Sequence, residues 1–176
     1  MLKIDSFIVE FISQHRIGVL NPFFKLLSYS GELMLIWLVI TLFLLYKTKQ
    51  LNKIKIFLFG YLTSYFINDV LLKNLIQRPR PFQENNLITT IIKEPTSYSM
   101  PSGHSASSFV AAFILSYYFP KYRIFFYSLA VLIAFSRIYV GVHYPSDVIV
   151  GALIGLLIGF VTVNLTKKIT VTNNTY

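Results

Sequence analysis

The sequence predicts an all-α integral membrane bundle of five to six helices: five spans plus an N-terminal amphipathic helix lying at the membrane interface. Three observations predict it. The chain is 55% hydrophobic and only 13% charged, whereas soluble domains are roughly 25% charged. Its apolar residues fall into separate runs, each near the roughly 17–25 residues that cross a bilayer as a helix. Lys and Arg gather in the short loops joining alternate runs. A mean hydropathy of +0.60 agrees, and 176 residues suit a single domain over 1–176.

The elements follow in chain order. Residues 3–17 place Ile4, Phe7, Ile8, Phe11 and Ile12 at helical spacing with Asp5, Glu10 and Gln14 elsewhere. This is the pattern of an interfacial helix, assigned to 1–20, rather than of a span. Asp5, Glu10, His15 and Arg16 also interrupt any apolar core of a cleavable signal. Asn21-Pro22 ends that helix. The first span is expected over 29–46 and the second over Ile54–Leu72. A polar, proline-containing loop follows at 74–100. The third span runs from near Ser102 to Phe119, the fourth from Ile124 to Val140 and the fifth from Asp147 to Leu165. Gly151, Gly155 and Gly159 recur every fourth residue, which allows a neighbouring helix to approach the fifth span closely.

Charge distribution gives the topology. Lys47, Lys49, Lys53, Lys55, Lys121, Arg123, Lys167 and Lys168 share one set of loops with no acidic residue, while Glu84 and Glu94 lie in the opposite set. The positive-inside rule puts the first set in the cytoplasm and the 74–100 loop outside. The net charge of +9 is therefore a topology and phosphate-site signal, not a nucleic-acid groove. Without cysteine, disulfide and thiolate chemistry are excluded.

Three polar clusters fall on the outward side. Lys73, Arg78 and Arg80 follow the second span, with Pro79 and Pro81 forcing the arginines out of helical geometry. Arg presents a fork suited to phosphate oxygens and Lys a point charge. Pro101-Ser102-Gly103-His104 opens the third span, where free N–H groups and the helix dipole favour anions. Ser136-Arg137 and His143 through Asp147 join the fourth span to the fifth. Pro145 suits a first helical turn, so Asp147, four residues after His143, can orient the imidazole as a nucleophile. Interfacial snorkelling is the better explanation of Lys73 taken alone, and a capped helix explains Pro101 and Ser102. Neither explains two histidines and three cations on one side. Asp69, one turn before Lys73, supports it or orients substrate; Arg78 is expected to face solvent.

These clusters resemble the three signature motifs of the type 2 phosphatidic acid phosphatase superfamily: Lys73-x6-Arg80-Pro81, Pro101-Ser102-Gly103-His104 and Ser136-Arg137-x5-His143-x3-Asp147. The resemblance implies a membrane lipid phosphatase. In it Lys73, Arg80, Arg137, Ser102 and the Gly103 N–H hold phosphate, His143 attacks phosphorus, Asp147 orients it and His104 protonates the leaving oxygen. It implies inhibition by vanadate and no cofactor, and two histidines without clustered carboxylates make a poor metal site. Members of this family are often drawn with six membrane helices, against five spans here. A compact chain of this kind resembles bacterial enzymes acting on undecaprenyl diphosphate in the cytoplasmic (inner) membrane. Phosphatidylglycerophosphate and the 1-phosphate of lipid A are the competing lipids. A silent lipid-phosphate binder or transporter is the rival of another class; it would lack His104, His143 or Asp147, and none is missing.

Overall fold

The computed structural model describes residues 3–173, and every regular element among them is a helix. In order they are α1 (Lys3–Gln14), α2 (Asn21–Ser30), α3 (Leu35–Lys47), α4 (Ile54–Ser64), α5 (Lys73–Ile76), α6 (Pro81–Glu84), α7 (Gly103–Tyr118), α8 (Arg123–Tyr139) and α9 (Pro145–Asn173). Between α4 and α5 the ladder loosens to a π-helix over Tyr65–Leu72. Three helical stretches are long and apolar enough to cross a membrane by themselves: Ile54–Glu84, Pro120–Tyr139 and Pro145–Lys167. The bent pair Gly18–Ser30 and Leu35–Lys47 makes a fourth if taken together.

The start of the first predicted span needs correcting. Residues 29 and 30 end α2, a helix the sequence reading missed, and Met34 then turns the chain through a left-handed conformation at φ 55°. The chain bends by 66° at this break. Asn21-Pro22, read as a breaker, instead starts α2, because proline in the first turn gives up an N–H that has no helical partner. The second predicted span continues beyond Leu72 to Ile76, where Gln77 at φ 50° closes it.

α7 is the hub, packed against α9, α8 and α4. It can be surrounded because many of its buried positions are small, among them Ser105, Ala106, Ser108, Ala111 and Ala112. The expected glycine seam is present on α9. A Cβ at Gly151 or Gly155 would run into the Ser102 or Ala106 carbonyl, and one at Gly159 would lie 2.7 Å from Phe113 Cβ. Trp37 reaches across from α3, donating its indole N–H to Ser108 Oγ at 3.0 Å in the buried core. That bond satisfies the one polar atom of a large apolar side chain.

α1 forms where the amphipathic pattern placed it. Its twelve residues extend only about 18 Å, too short to span. Ile4, Phe7 and Phe11 are exposed, while Asp5 and Val9 are buried against the bundle. The apolar face therefore points outward and a carboxylate points in.

Polar groups divide between the two ends of the bundle. The ends of α5 and α8 and the starts of α7 and α9 converge at one end, where Asp5 of α1 meets Ser146 and the 95–99 loop meets Arg80. At the other, Lys53 Nζ lies 4.3 Å from the Tyr118 ring centre and Lys167 Nζ 4.7 Å from that of Tyr117.

Candidate active site

The helix ends surround a cavity of about 250 Å³ whose lining includes Lys73, Arg80, Gly103, His104, Arg137 and His143. Six of the eight predicted site residues therefore share one chamber. Ser102 and Asp147 are not in its lining; both are fully buried behind it.

The first cluster splits as the prolines require. Lys73 stays on its helix, its Nζ 2.5 Å from Asp69 Oδ1. Arg80, extended at φ −83° and ψ 157°, turns inward and is 2% exposed. Its Nε donates to Ser97 O at 2.7 Å, one terminal nitrogen to Val142 O at 2.8 Å, and the other to Ser97 Oγ and Tyr98 O at 3.1 and 3.2 Å. The nitrogen facing Val142 also lies 3.4 Å from His143 Nε2. Arg80 thus pins the 95–99 loop to the loop carrying His143 and sets a positive charge beside the imidazole.

The second cluster opens α7. Ser102 Oγ accepts the Ser105 N–H at 3.4 Å and the Ser105 hydroxyl at 3.0 Å. It is a helix cap, which is why it lies outside the cavity. Gly103 does line the chamber, with the Asp69 carboxylate packed so closely that a Cβ would sit 2.5 Å from Oδ1. Asn68, buried on the π-helical turn, donates to Pro101 O at 3.3 Å and joins the first cluster to the second. π-helical turns are frequent at functional sites, and this one carries both Asn68 and Asp69. His104 Nε2 meets the Ser28 carbonyl at 3.2 Å. A carbonyl only accepts, so that nitrogen carries the proton.

The third cluster spans the end of α8 and the start of α9. Arg137, 3% exposed, donates to Ser28 Oγ, and its Nε is buried without a hydrogen-bond partner among the described residues. Gly141, at φ +88°, turns the loop; a side chain there would be strained and its Cβ would sit 2.5 Å from Thr89 O. His143 follows, 2% exposed. Its Nδ1 lies 3.5 Å from Asp147 Oδ2, longer than the roughly 2.7–3.2 Å of a formed bond. Such bonds are often long before substrate binds. Asp147 is itself fixed: Oδ2 accepts from Ser99 Oγ at 2.5 Å and the Tyr144 N–H at 2.9 Å, and Oδ1 from Arg78 at 2.6 Å. Burial, then the neighbouring charges of Arg80, Arg137 and Lys73, hold the His143 imidazole well below its ordinary pKa. It is therefore neutral, the form that can attack.

One residue departs from its predicted setting. Arg78, expected to face solvent, is clamped between Asp147 and Asp5, 2.9 Å from Asp5 Oδ2. The sequence reading also missed Ser28, which serves Arg137 through its hydroxyl and His104 through its carbonyl. A serine in an unrecognised helix gives no signal for either contact.

The comparisons with known proteins agree with this geometry. The sequence profile of the PAP2 superfamily matches residues 53–170. An undecaprenyl-diphosphatase of Sulfolobus acidocaldarius is 35% identical over 158 residues, covering 89% of this chain and 75% of that protein. The crystal structure of a transmembrane PAP2-type phosphatidylglycerolphosphate phosphatase from Bacillus subtilis superposes with a TM-score of 0.76 at 27% identity, covering 94% of this chain and 86% of the other. The crystal structure of Aquifex aeolicus LpxE gives 0.78 at 29% identity, covering 93% and 96%.

Proposed function

Because the chain belongs to the PAP2 superfamily and is a membrane lipid phosphatase, we propose that it hydrolyses undecaprenyl diphosphate through a phosphohistidine on His143. One observation carries the mechanism: His143 and His104 line the same cavity as Lys73, Arg80 and Arg137, with Asp147 behind His143. Phosphoryl transfer asks mainly for positioning and dispersed positive charge, and these cations supply it.

The terminal phosphate binds among Lys73, Arg80, the free Nε of Arg137 and the Gly103 N–H at the start of α7. His143 Nε2 forms a bond to phosphorus while the bond from phosphorus to the lipid-side oxygen breaks. His104, protonated on both ring nitrogens, gives that oxygen the proton of Nδ1 while its Nε2–H stays on the Ser28 carbonyl, and the lipid monophosphate leaves. Water then attacks the phosphohistidine, His104 takes its proton, and inorganic phosphate departs with His143 restored. Asp147 neutralises the charge that develops on the ring.

The choice of lipid rests on the Sulfolobus acidocaldarius undecaprenyl-diphosphatase, which aligns with 89% of this chain. The orientation rests on the lysine-rich end, which by the positive-inside rule faces the cytoplasm and leaves the cavity on the outer face of the cytoplasmic membrane.

The test is phosphate release by protein purified in detergent and offered undecaprenyl diphosphate, phosphatidylglycerophosphate or lipid A 1-phosphate. Undecaprenyl diphosphate is expected to give the highest kcat/KM, and His143→Ala to lose at least about a thousandfold. A preference for another of these lipids replaces the substrate assignment; comparable release by wild type and His143→Ala removes the nucleophile.

A further inference from the structure

Arg78 and Asp5 lie outside the cavity and have no part in the phosphate chemistry, yet they are joined directly to the residue that orients the nucleophile. One Arg78 nitrogen donates to Asp147 Oδ1 at 2.6 Å, and the other to Asp5 Oδ2 at 2.9 Å. Asp5 also accepts the Ser146 N–H at 3.1 Å and the Ser146 hydroxyl. The guanidinium lies 4.0 Å from the Tyr144 ring centre. Residues 144–147 are thus gripped from α1 on one side and from the α5–α6 connection on the other. A second tie holds the far end of α1, where Arg16 Nε donates to Tyr139 O at 2.8 Å and another Arg16 nitrogen to Thr89 O at 2.6 Å.

The charges give this arrangement a purpose beyond tethering. Asp147 paired with Arg78 alone would be a neutral couple, with nothing left to balance the positive charge that forms on His143 as its nitrogen bonds to phosphorus. Asp5 makes the set two carboxylates and one guanidinium, a net charge of −1. In a buried site, such fixed charge acts strongly on a developing one.

We propose that Asp5 and Arg78 are positioning residues for the phosphatase reaction: Asp5, carried by α1, offsets Arg78 so that Asp147 keeps its negative charge for His143. This rests on His143 being the nucleophile.

Steady-state phosphate release tests it on the full chain in detergent, with His143→Ala measured alongside. Asp5→Asn removes the offsetting charge. Its kcat is expected to fall about tenfold with KM within about twofold, because only the transition state is affected. Adding Arg78→Gln returns the set to −1 through Asp147 alone and is expected to recover at least about threefold of the lost kcat. A merely structural tether predicts the reverse, a double variant no better than the single. A kcat for Asp5→Asn within twofold of wild type, or no recovery in the double variant, overturns the proposal. If Asp5→Asn does not fold, Arg78→Gln alone carries the test: it breaks the bridge yet leaves carboxylate charge to balance His143. Its kcat is then expected to stay within about threefold of wild type at constant KM, and a fall of about tenfold or more, as a structural tether predicts, overturns the proposal. Activity persisting in His143→Ala would instead refute the nucleophile on which the proposal rests.

Discussion

The two ends of this bundle both collect basic residues, and they use them in opposite ways. At the site end Lys73, Arg80 and Arg137 are buried. Each is held by named acceptors: Asp69, the carbonyls of Ser97, Tyr98 and Val142, and Ser28. At the other end Lys53 and Lys167 rest against tyrosine rings, the usual habit of long amphipathic side chains at an interface. Positive charge alone therefore does not distinguish the two ends. What distinguishes the cavity end is that its cations are buried and immobilised.

The sharpest way to break this contrast is Arg137→Ala. It removes a buried charge with an unpartnered Nε from the cavity, and kcat/KM should fall by about 10²–10³, as when one donor is removed from an oxyanion site. Phosphate-release kinetics on undecaprenyl diphosphate measure it, and a loss under tenfold would show that Arg137 does not face the phosphate. Arg80→Lys comes next. A lysine cannot satisfy the Ser97, Tyr98 and Val142 acceptors together, so we expect a stability loss of about 2–3 kcal/mol, visible as a lower Tm in detergent. An unchanged Tm would mean that the 95–99 loop is held by other contacts.

The pH profile gives a smaller effect. The imidazole of His143 is held below its ordinary value of 6.5, so acid must go below that value before the nucleophile is lost. The acidic limb of kcat/KM should accordingly lie below pH 6.5, since this parameter reports the free enzyme. A limb at or above 6.5 would contradict the buried setting. The same sign applies to stability. The unfolded chain takes up a proton near 6.5 that the folded site refuses, so this contribution is present above 6.5 and is lost as pH falls through the folded value. The smallest effect should come from the opposite end. Lys53→Gln with Lys167→Gln should leave kcat/KM within about twofold in detergent, whereas a larger fall would tie that end to the site.

The shared cavity was legible in the sequence because a mostly apolar chain has few reasons to keep His104, Arg137 and His143 near its helix ends. The hydrophobic runs similarly gave α7 and α8 to within one residue at each end, and the starts of α4 and α9 to within two. What escaped depended on long-range pairing. Asp5 sits in an amphipathic pattern that assigns it to a polar face, and nothing local reveals that this face meets Ser146. Arg78, beside the motif arginine, could not be told from a solvated neighbour. Ser102 was legible as a helix start, but its hydroxyl serves the cap rather than the cavity. The break at Met34 was hidden because Gly31 and Met34 lie inside an otherwise persuasive apolar stretch.

The shortness of α7 has one more consequence. Sixteen residues reach about 24 Å, roughly 6 Å less than the hydrocarbon thickness of a typical bilayer. α9, packed along it, is longer at 29 residues, and Gly103 and His104 line the cavity where α7 begins. A lipid can then present its phosphate near its own depth in the leaflet, without being lifted into water. On the proposed function, the charged chamber meets the phosphate at that depth, and the long hydrocarbon chain never has to leave the membrane.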